Sequence, residues 1–274
     1  MRLHDYLRCV GVEAALPPTV DTLRRLHVAH RETFLFDNLA IQSGGAVSVA
    51  LDAIERKFID ERRGGYCFEH NTLFAGALRD LGFSPVTLLG RVRRGPPERW
   101  ARTHMVLKVP VDGEIWLADV GFGAIGLLEP IPLHEGVVAE QGGLTYELRH
   151  EPPVDGFSRG LWVLAMRDPA QPHDARAMAL VDLYEFTEDP QTAGDVEVAN
   201  HFTSTHPDSI FRRTLTIQRS RRDARIILRG DTVTRYEAGR AIEETVSRDR
   251  VKEVARELFD IELPGGPLVS DQPT

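Results

Sequence analysis

The hydrophobic pattern of the chain changes period at Gly82, which restricts the fold to a helical part followed by a sheet. Upstream, apolar residues recur at helical spacing. Thr19 is placed to cap a helix from Val20 to about Thr33, with Leu23, Leu26 and Val28 in its apolar stripe, and a second helix fits 51–59. A third starts at Cys67, carries Leu73, Phe74, Ala77, Leu78 and Leu81, and stops at Gly82. Downstream come short β-rich runs at 86–92, 103–109, 114–120, 145–150, 161–166 and 179–186. Gly95-Pro96-Pro97 and Asp112-Gly113 separate some of them as turns, which predicts an antiparallel sheet or barrel. A helix with Val196, Ala199 and Phe202 follows, then strands at 213–218, 224–229 and 232–236, then a helix at 248–259 capped by Ser247.

Where the third helix begins, the segment Glu61-Arg62-Arg63-Gly64-Gly65-Tyr66-Cys67-Phe68-Glu69-His70-Asn71 delivers a cysteine from a glycine hinge onto a helix N-terminus. Backbone N–H groups and the positive end of the helix dipole favour an ionised sulfur at such a place, and a neighbouring imidazolium favours it further. Two partners follow: His104 in Arg102-Thr103-His104-Met105-Val106-Leu107, and Asp119 in Ile115-Trp116-Leu117-Ala118-Asp119-Val120-Gly121-Phe122-Gly123. Neighbouring strands bring such residues side by side, and the aspartate would fix the imidazole tautomer. Singly, each has a plainer reading: a buried thiol, a core histidine, a turn aspartate. Their combination points to nucleophilic catalysis. His27, His30 and His70 read as structural or exposed.

Other chemistries lack their signatures. No H-E-x-x-H, C-x-x-C, G-x-S-x-G or P-loop sequence occurs, so no metal is expected. Gly121-Phe122-Gly123-Ala124-Ile125-Gly126 has the spacing of a dinucleotide fingerprint, but Leu127-Leu128-Glu129-Pro130-Ile131-Pro132 cannot continue the helix that fingerprint needs. Net charge of −8 argues against a nucleic-acid partner, and the absence of an apolar run of about 18 residues argues against a membrane span. The only cysteines, Cys9 and Cys67, are too few for a disulfide framework. With no apolar leader at the start, a cytoplasmic address is the expectation.

The stretch Arg-Arg-Gly-Gly-Tyr-Cys-Phe-Glu-His-Asn, the Thr-His on a strand, and Asp-Val-Gly-Phe-Gly resemble the arylamine N-acetyltransferase family with its cysteine protease-like Cys-His-Asp triad. Phe34-Leu35-Phe36-Asp37-Asn38-Leu39, Leu183-Tyr184-Glu185-Phe186-Thr187 and Ser204-Thr205-His206-Pro207-Asp208-Ser209-Ile210-Phe211 extend the resemblance over about residues 1 to 250. It implies an α+β fold in three parts: a helical bundle with the nucleophile (1–82), a central antiparallel β-barrel with His and Asp (83–188), and a C-terminal α/β lid (189–274).

The implied reaction is ping-pong acetyl transfer from acetyl-CoA, through acetyl-Cys67, to an arylamine, arylhydrazine or hydrazide. Thr103, Gly121 and Gly123 would contact the coenzyme, and Phe36 and Phe122 would wall the acceptor pocket. The family usually shows Gly-Phe-Gly-Gly where this chain has Ala124. The loop at 93–100 is shorter than in relatives that use it for the coenzyme. A run of arginines (Arg212, Arg213, Arg219, Arg221, Arg222, Arg225, Arg229) reads as the solvated face of a hairpin, or else as an attractor of coenzyme phosphates. Two other activities share the acyl-cysteine step: an amide synthase of the same family that releases a polyketide as a macrolactam, and a transglutaminase-like or protease-like hydrolase. Neither the acceptor nor the oligomeric state is fixed by the sequence.

Overall fold

A computed structural model of the chain describes residues 1–13, 16–152, 160–169, 179–237 and 240–271. The first part is helical: α1 (Leu3–Val10), α2 (Val20–Thr33), a two-residue strand β1 (Phe36–Asp37), α3 (Leu39–Gln42), α4 (Leu51–Glu55) and α5 (Cys67–Asp80). The Thr19 side chain caps α2 by accepting from the Thr22 amide, and Gly82 turns the chain after α5 at φ +89°. The helix expected at 51–59 changes character midway, α4 continuing as a π-helical turn over Arg56–Asp60.

Eight strands form one antiparallel sheet: β2 (Val86–Val92), β3 (Arg102–Val111), β4 (Glu114–Ala118), β5 (Ile131–Pro132), β6 (Val137–Gln141), β7 (Leu144–Glu151), β8 (Leu161–Arg167) and β9 (Val181–Phe186). Their order is β5-β4-β3-β2-β9-β8-β7-β6, curled into a nearly closed barrel with its seam between β5 and β6. Neither seam strand is among those expected: β5 is two residues long and one of them is proline, whereas β6 is joined to β7 by the two-residue turn Gly142-Gly143, a hairpin signal the expectation passed over.

Alternation along β3 decides which core each residue serves. Met105, Leu107 and Val109 pack under the helices with Leu23, Leu26, Phe74 and Leu78, whereas Val106 points into the barrel with Leu88, Leu117, Tyr146, Leu164 and Tyr184. His104 has the parity of Val106. The sequence's period therefore aims the imidazole at the barrel side, close to the boundary with α5.

The last part contains α6 (Ala193–Thr205), α7 (Ile210–Arg213), β10 (Thr216–Ser220), β11 (Ala224–Arg229), β12 (Thr232–Glu237), β13 (Arg240–Thr245) and α8 (Val251–Phe259). The second sheet runs β1-β10-β11-β12-β13, so an N-terminal strand completes the C-terminal sheet. The strand expected at 213–218 starts later because Ser209 caps α7 through its Oγ. Ser247 precedes a 3-10 turn over Arg248–Arg250 and makes no side-chain cap. Val251, Val254, Ala255 and Phe259 of α8 pack on Leu215, Ile217, Leu228 and Val233, while Phe202 of α6 lies 39% exposed instead of inside. No helix among the described residues is long and apolar enough to cross a membrane.

Candidate active site

The helix that begins at Cys67 is held at its first turn. The Glu69 carboxylate accepts from the Tyr66 amide at 3.2 Å and from Lys57 Nζ at 2.7 Å, which supplies the N3 half of a capping box. Upstream, the Asp37 amide donates to the Gly65 carbonyl at 2.7 Å, and the Gly65 amide donates to the Leu35 carbonyl at 3.2 Å. The loop before Cys67 is thus clipped to β1 as a parallel bridge. The hinge is pinned to a strand.

Cys67, His104 and Asp119 are all brought together and buried, at 3%, 2% and 0% exposure. His104 Nε2 donates to Asp119 Oδ2 at 2.7 Å, which leaves Nδ1 for the sulfur. Burial pulls the imidazole's pKa down, but the charge and hydrogen bond of Asp119, with the contact to Cys67, outweigh it and carry it up to about 10. Burial pushes the Asp119 carboxyl up, and the His104 charge with hydrogen bonds from His104, Asn71 and Gly121 overcomes that and holds it at about 2. The pair is an imidazolium and a carboxylate. Cys67 Sγ lies 3.6 Å from the Thr103 carbonyl oxygen, on the strand next to His104.

Asp119 is oriented by groups to which the sequence motifs gave no such task. Its Oδ1 accepts from the Gly121 amide at 2.9 Å and from Asn71 Nδ2 at 3.1 Å. Asn71 also donates to the Met105 carbonyl at 2.7 Å and accepts from the Val120 amide at 3.2 Å. The Asp119 amide donates to His27 Nε2 at 3.1 Å, so His27 carries its proton on Nδ1 and donates to the Leu128 carbonyl at 2.8 Å. Burial first, and Arg31 next, lower the His27 pKa to about 3, which keeps this support neutral. The only advance signal for Asn71 was its place four residues after Cys67, on the same helix face.

Phe122 packs edge-on against His104, with ring centroids 4.9 Å apart, and Tyr184 covers the imidazole from another side at 4.8 Å. Phe36 stacks at 6.2 Å on His70, three residues along α5 from Cys67. Gly121 and Gly123 lie in the irregular loop after Asp119, which contains no helix, as its prolines required. A Cβ on Gly121 would stand 2.6 Å from Asn71 Nδ2 and 2.8 Å from Cys67 Cα, so the glycine lets the loop touch α5 at its first turn.

The arginine run is not one solvated face. Arg225 is 7% exposed, lies 4.1 Å over the Tyr236 ring and faces Asp168 at 3.7 Å, because β11 turns that residue inward. Arg93, in the loop considered for the coenzyme, is committed to Glu151, Asp182 and Glu185 at 2.6–2.8 Å. A groove of about 560 Å³ lined by Arg24, Trp116, Glu129 and His134 contains none of Cys67, His104 and Asp119.

A family model described as N-acetyltransferase matches residues 19–268. An arylamine N-acetyltransferase / N-hydroxyarylamine O-acetyltransferase of Salmonella typhimurium is 34% identical over 88% of this chain and 82% of its own length. An arylamine N-acetyltransferase of Mycolicibacterium smegmatis is 36% identical over 87% of this chain and 84% of its own. Among solved structures, the Nocardia farcinica arylamine N-acetyltransferase superposes with a TM-score of 0.86 at 36% identity, covering 97% of this chain and 91% of that one. The Mycobacterium marinum enzyme solved in complex with CoA gives 0.83 at 32% identity, covering 94% and 92%. With a family match over most of its length and relatives of this closeness, the chain belongs to the arylamine N-acetyltransferases, a family of acyltransferases.

Proposed function

We propose that the protein transfers an acetyl group from acetyl-CoA to an arylamine, arylhydrazine or hydrazide through acetyl-Cys67. The observation that carries this reading is the buried His104–Asp119 pair at 2.7 Å beside a cysteine at the start of a 14-residue helix. The M. marinum relative solved with CoA supports acetyl-CoA as the donor. The Cys67 thiolate attacks the thioester carbonyl, and the Cys67 and Phe68 amides at the start of α5, which have no partner within the helix, face the developing oxyanion. As the C–S bond of the donor breaks, the departing sulfur takes the imidazolium proton of His104 and leaves as coenzyme A. A weakly basic aromatic amine, neutral at pH 7, then attacks the acetyl carbonyl. Its surplus proton returns to His104, and collapse expels the Cys67 thiolate, regenerating the ion pair.

Thr103 is the coenzyme contact this geometry supports best, since its carbonyl meets the sulfur. Phe122 and Phe36 are the acceptor's walls in this reading, and residues 189–274 its lid. Use of acetyl-CoA with an unoxidised thiol fits a cytoplasmic address. The test is mass spectrometry of the protein mixed with acetyl-CoA alone: one acetyl group is expected on the peptide carrying Cys67, discharged by added arylamine. Cys67→Ala should take up none, and an acetyl group on Cys9 would sink the assignment.

A further inference from the structure

We propose that Gln218, in the C-terminal sheet, sets the width of the acceptor pocket by tying its two aromatic walls to each other. The inference rests on the acyl-transfer reading, which makes Phe36 and Phe122 those walls. Gln218 sits directly opposite Phe36 in the β1–β10 pair, so its backbone fixes the strand that carries the first wall. Its side chain, in a residue 6% exposed, holds the second: Oε1 accepts from the Ala124 amide at 2.7 Å, two residues beyond Phe122. An amide N–H only donates, so the oxygen of Gln218 must face the loop. Nε2 keeps it there by donating to Thr216 Oγ1 at 3.1 Å, and the Thr216 amide is bonded to Asn38 Oδ1 at 2.8 Å, beside β1 again.

Gly123 is fitted to this contact. It stands at φ +81°, and a Cβ there would lie 2.5 Å from Gln218 Oε1. Arg31 adds a less direct connection, sharing Nη2 between the Gly123 carbonyl at 2.7 Å and Ser220 Oγ at 3.0 Å. Tyr146 holds the far end of the loop to the barrel through the Ile125 and Gly126 carbonyls. Gln218 alone among these joins the loop directly to the partner strand of Phe36. It touches none of the triad side chains, so it is a positioning residue whose effect should fall on the acceptor.

The experiment compares Gln218→Met, which loses the acceptor oxygen, with Gln218→Glu, which keeps it while Thr216 Oγ1 reverses and donates. The rate of coenzyme A release from acetyl-CoA before any amine is added reports acetylation, and kcat/KM for aniline and for a fused-ring amine reports the pocket. Gln218→Met should acetylate within about twofold of wild type while its selectivity between the two amines shifts about tenfold; Gln218→Glu should keep wild-type selectivity. Should Gln218→Met fail to fold, Thr216→Val, which frees the amide to turn, is expected to shift selectivity the same way. Parallel loss of acetylation and of both amines, or a Gln218→Glu no better than Gln218→Met, would overturn the proposal. A wild type inert to every amine would defeat the functional reading instead. Crystals of Gln218→Met would decide the tie: it stands if Phe122 and Ala124 have moved against β1 while Gly121 keeps its place on Asp119, and falls if Phe122 and Ala124 have not moved.

Discussion

Asp119 reaches His104 with one carboxylate oxygen and presents the other to Asn71 and the Gly121 amide. Asn71 therefore acts on the imidazole at one remove, and its other bonds tie the start of the loop, at Val120, to β3, at Met105. Replacing it by alanine leaves a buried amide and a buried carbonyl without partners, which costs about 1–3 kcal/mol. It also frees the carboxylate to rotate. Asn71→Ala should thus lower the coenzyme A release rate by about 10²-fold in a protein that still melts cooperatively, since misplacement of order 1 Å is that costly. A folded variant with an undiminished burst would show that Asp119 is held well enough by His104 and Gly121 alone. The sequence put Asn71 inside the motif but gave it no task, because its partners are separated from it by tens of residues.

At the scale of elements, the site around Cys67 is one helix end pressed against one loop. The Gly121 backbone fills the gap between Asn71 and Cys67, so a single methyl meets backbone that cannot yield. Gly121→Ala should cost about 1–3 kcal/mol by overpacking and should depress acetylation more than thermal stability, because the strain falls on the Cys67 turn. Calorimetry alongside the coenzyme A burst checks it; loss of stability with an intact burst would place the strain elsewhere. The same helix is anchored from behind by a chain of neutral rings. His70 Nε2 donates to the Leu35 carbonyl at 3.1 Å, His30 Nε2 to His70 Nδ1 at 2.9 Å, and the Tyr6 hydroxyl to His30 Nδ1 at 3.0 Å. A carbonyl accepts only, so its position at the end of the chain fixes every tautomer. The expectation that His27, His30 and His70 are structural or exposed resolves to structural: all are buried and bonded.

Across the whole molecule these histidines pull stability in opposite directions with pH. Burial holds His27 and His70 at about 3 and His30 well below its ordinary value. Their unfolded counterparts take up protons first, so stability should fall as pH drops below about 6.5. His104, raised to about 10, contributes stability that is full below about 6.5 and is lost as pH climbs through 10. Each group changes stability by up to about 1.4 kcal/mol per pH unit within its window, so three histidines make the acid limb steeper than His104 makes the alkaline one. Urea unfolding across pH 5 to 10 should show this asymmetry, and His104→Gln should flatten the alkaline limb relative to wild type while leaving the acid limb. Coincident alkaline limbs would mean that the imidazolium–carboxylate pair does not stabilise the fold.

Sequence by itself determined what short-range physics controls. Capping at Thr19, the glycine stop after α5 and the period of two in β3 located the main helices and strands, and the period also turned His104 toward the barrel. Three ordered motifs singled out Cys67, His104 and Asp119, because a thiol, an imidazole and a carboxylate in those settings leave few other uses, and the fold brings all three together. Tertiary structure alone decided how distant segments share bonds. Residues 36–37 complete a sheet whose other strands begin at residue 216, Asn71 and His27 converge on Asp119, Gln218 closes on Ala124, and Arg225 is buried in a run that reads as surface. A lone polar residue carries no periodicity to announce its partner, and two-residue strands such as β1 and β5 are too short to show one. Only packing brings such groups within the roughly 3 Å over which a hydrogen bond acts.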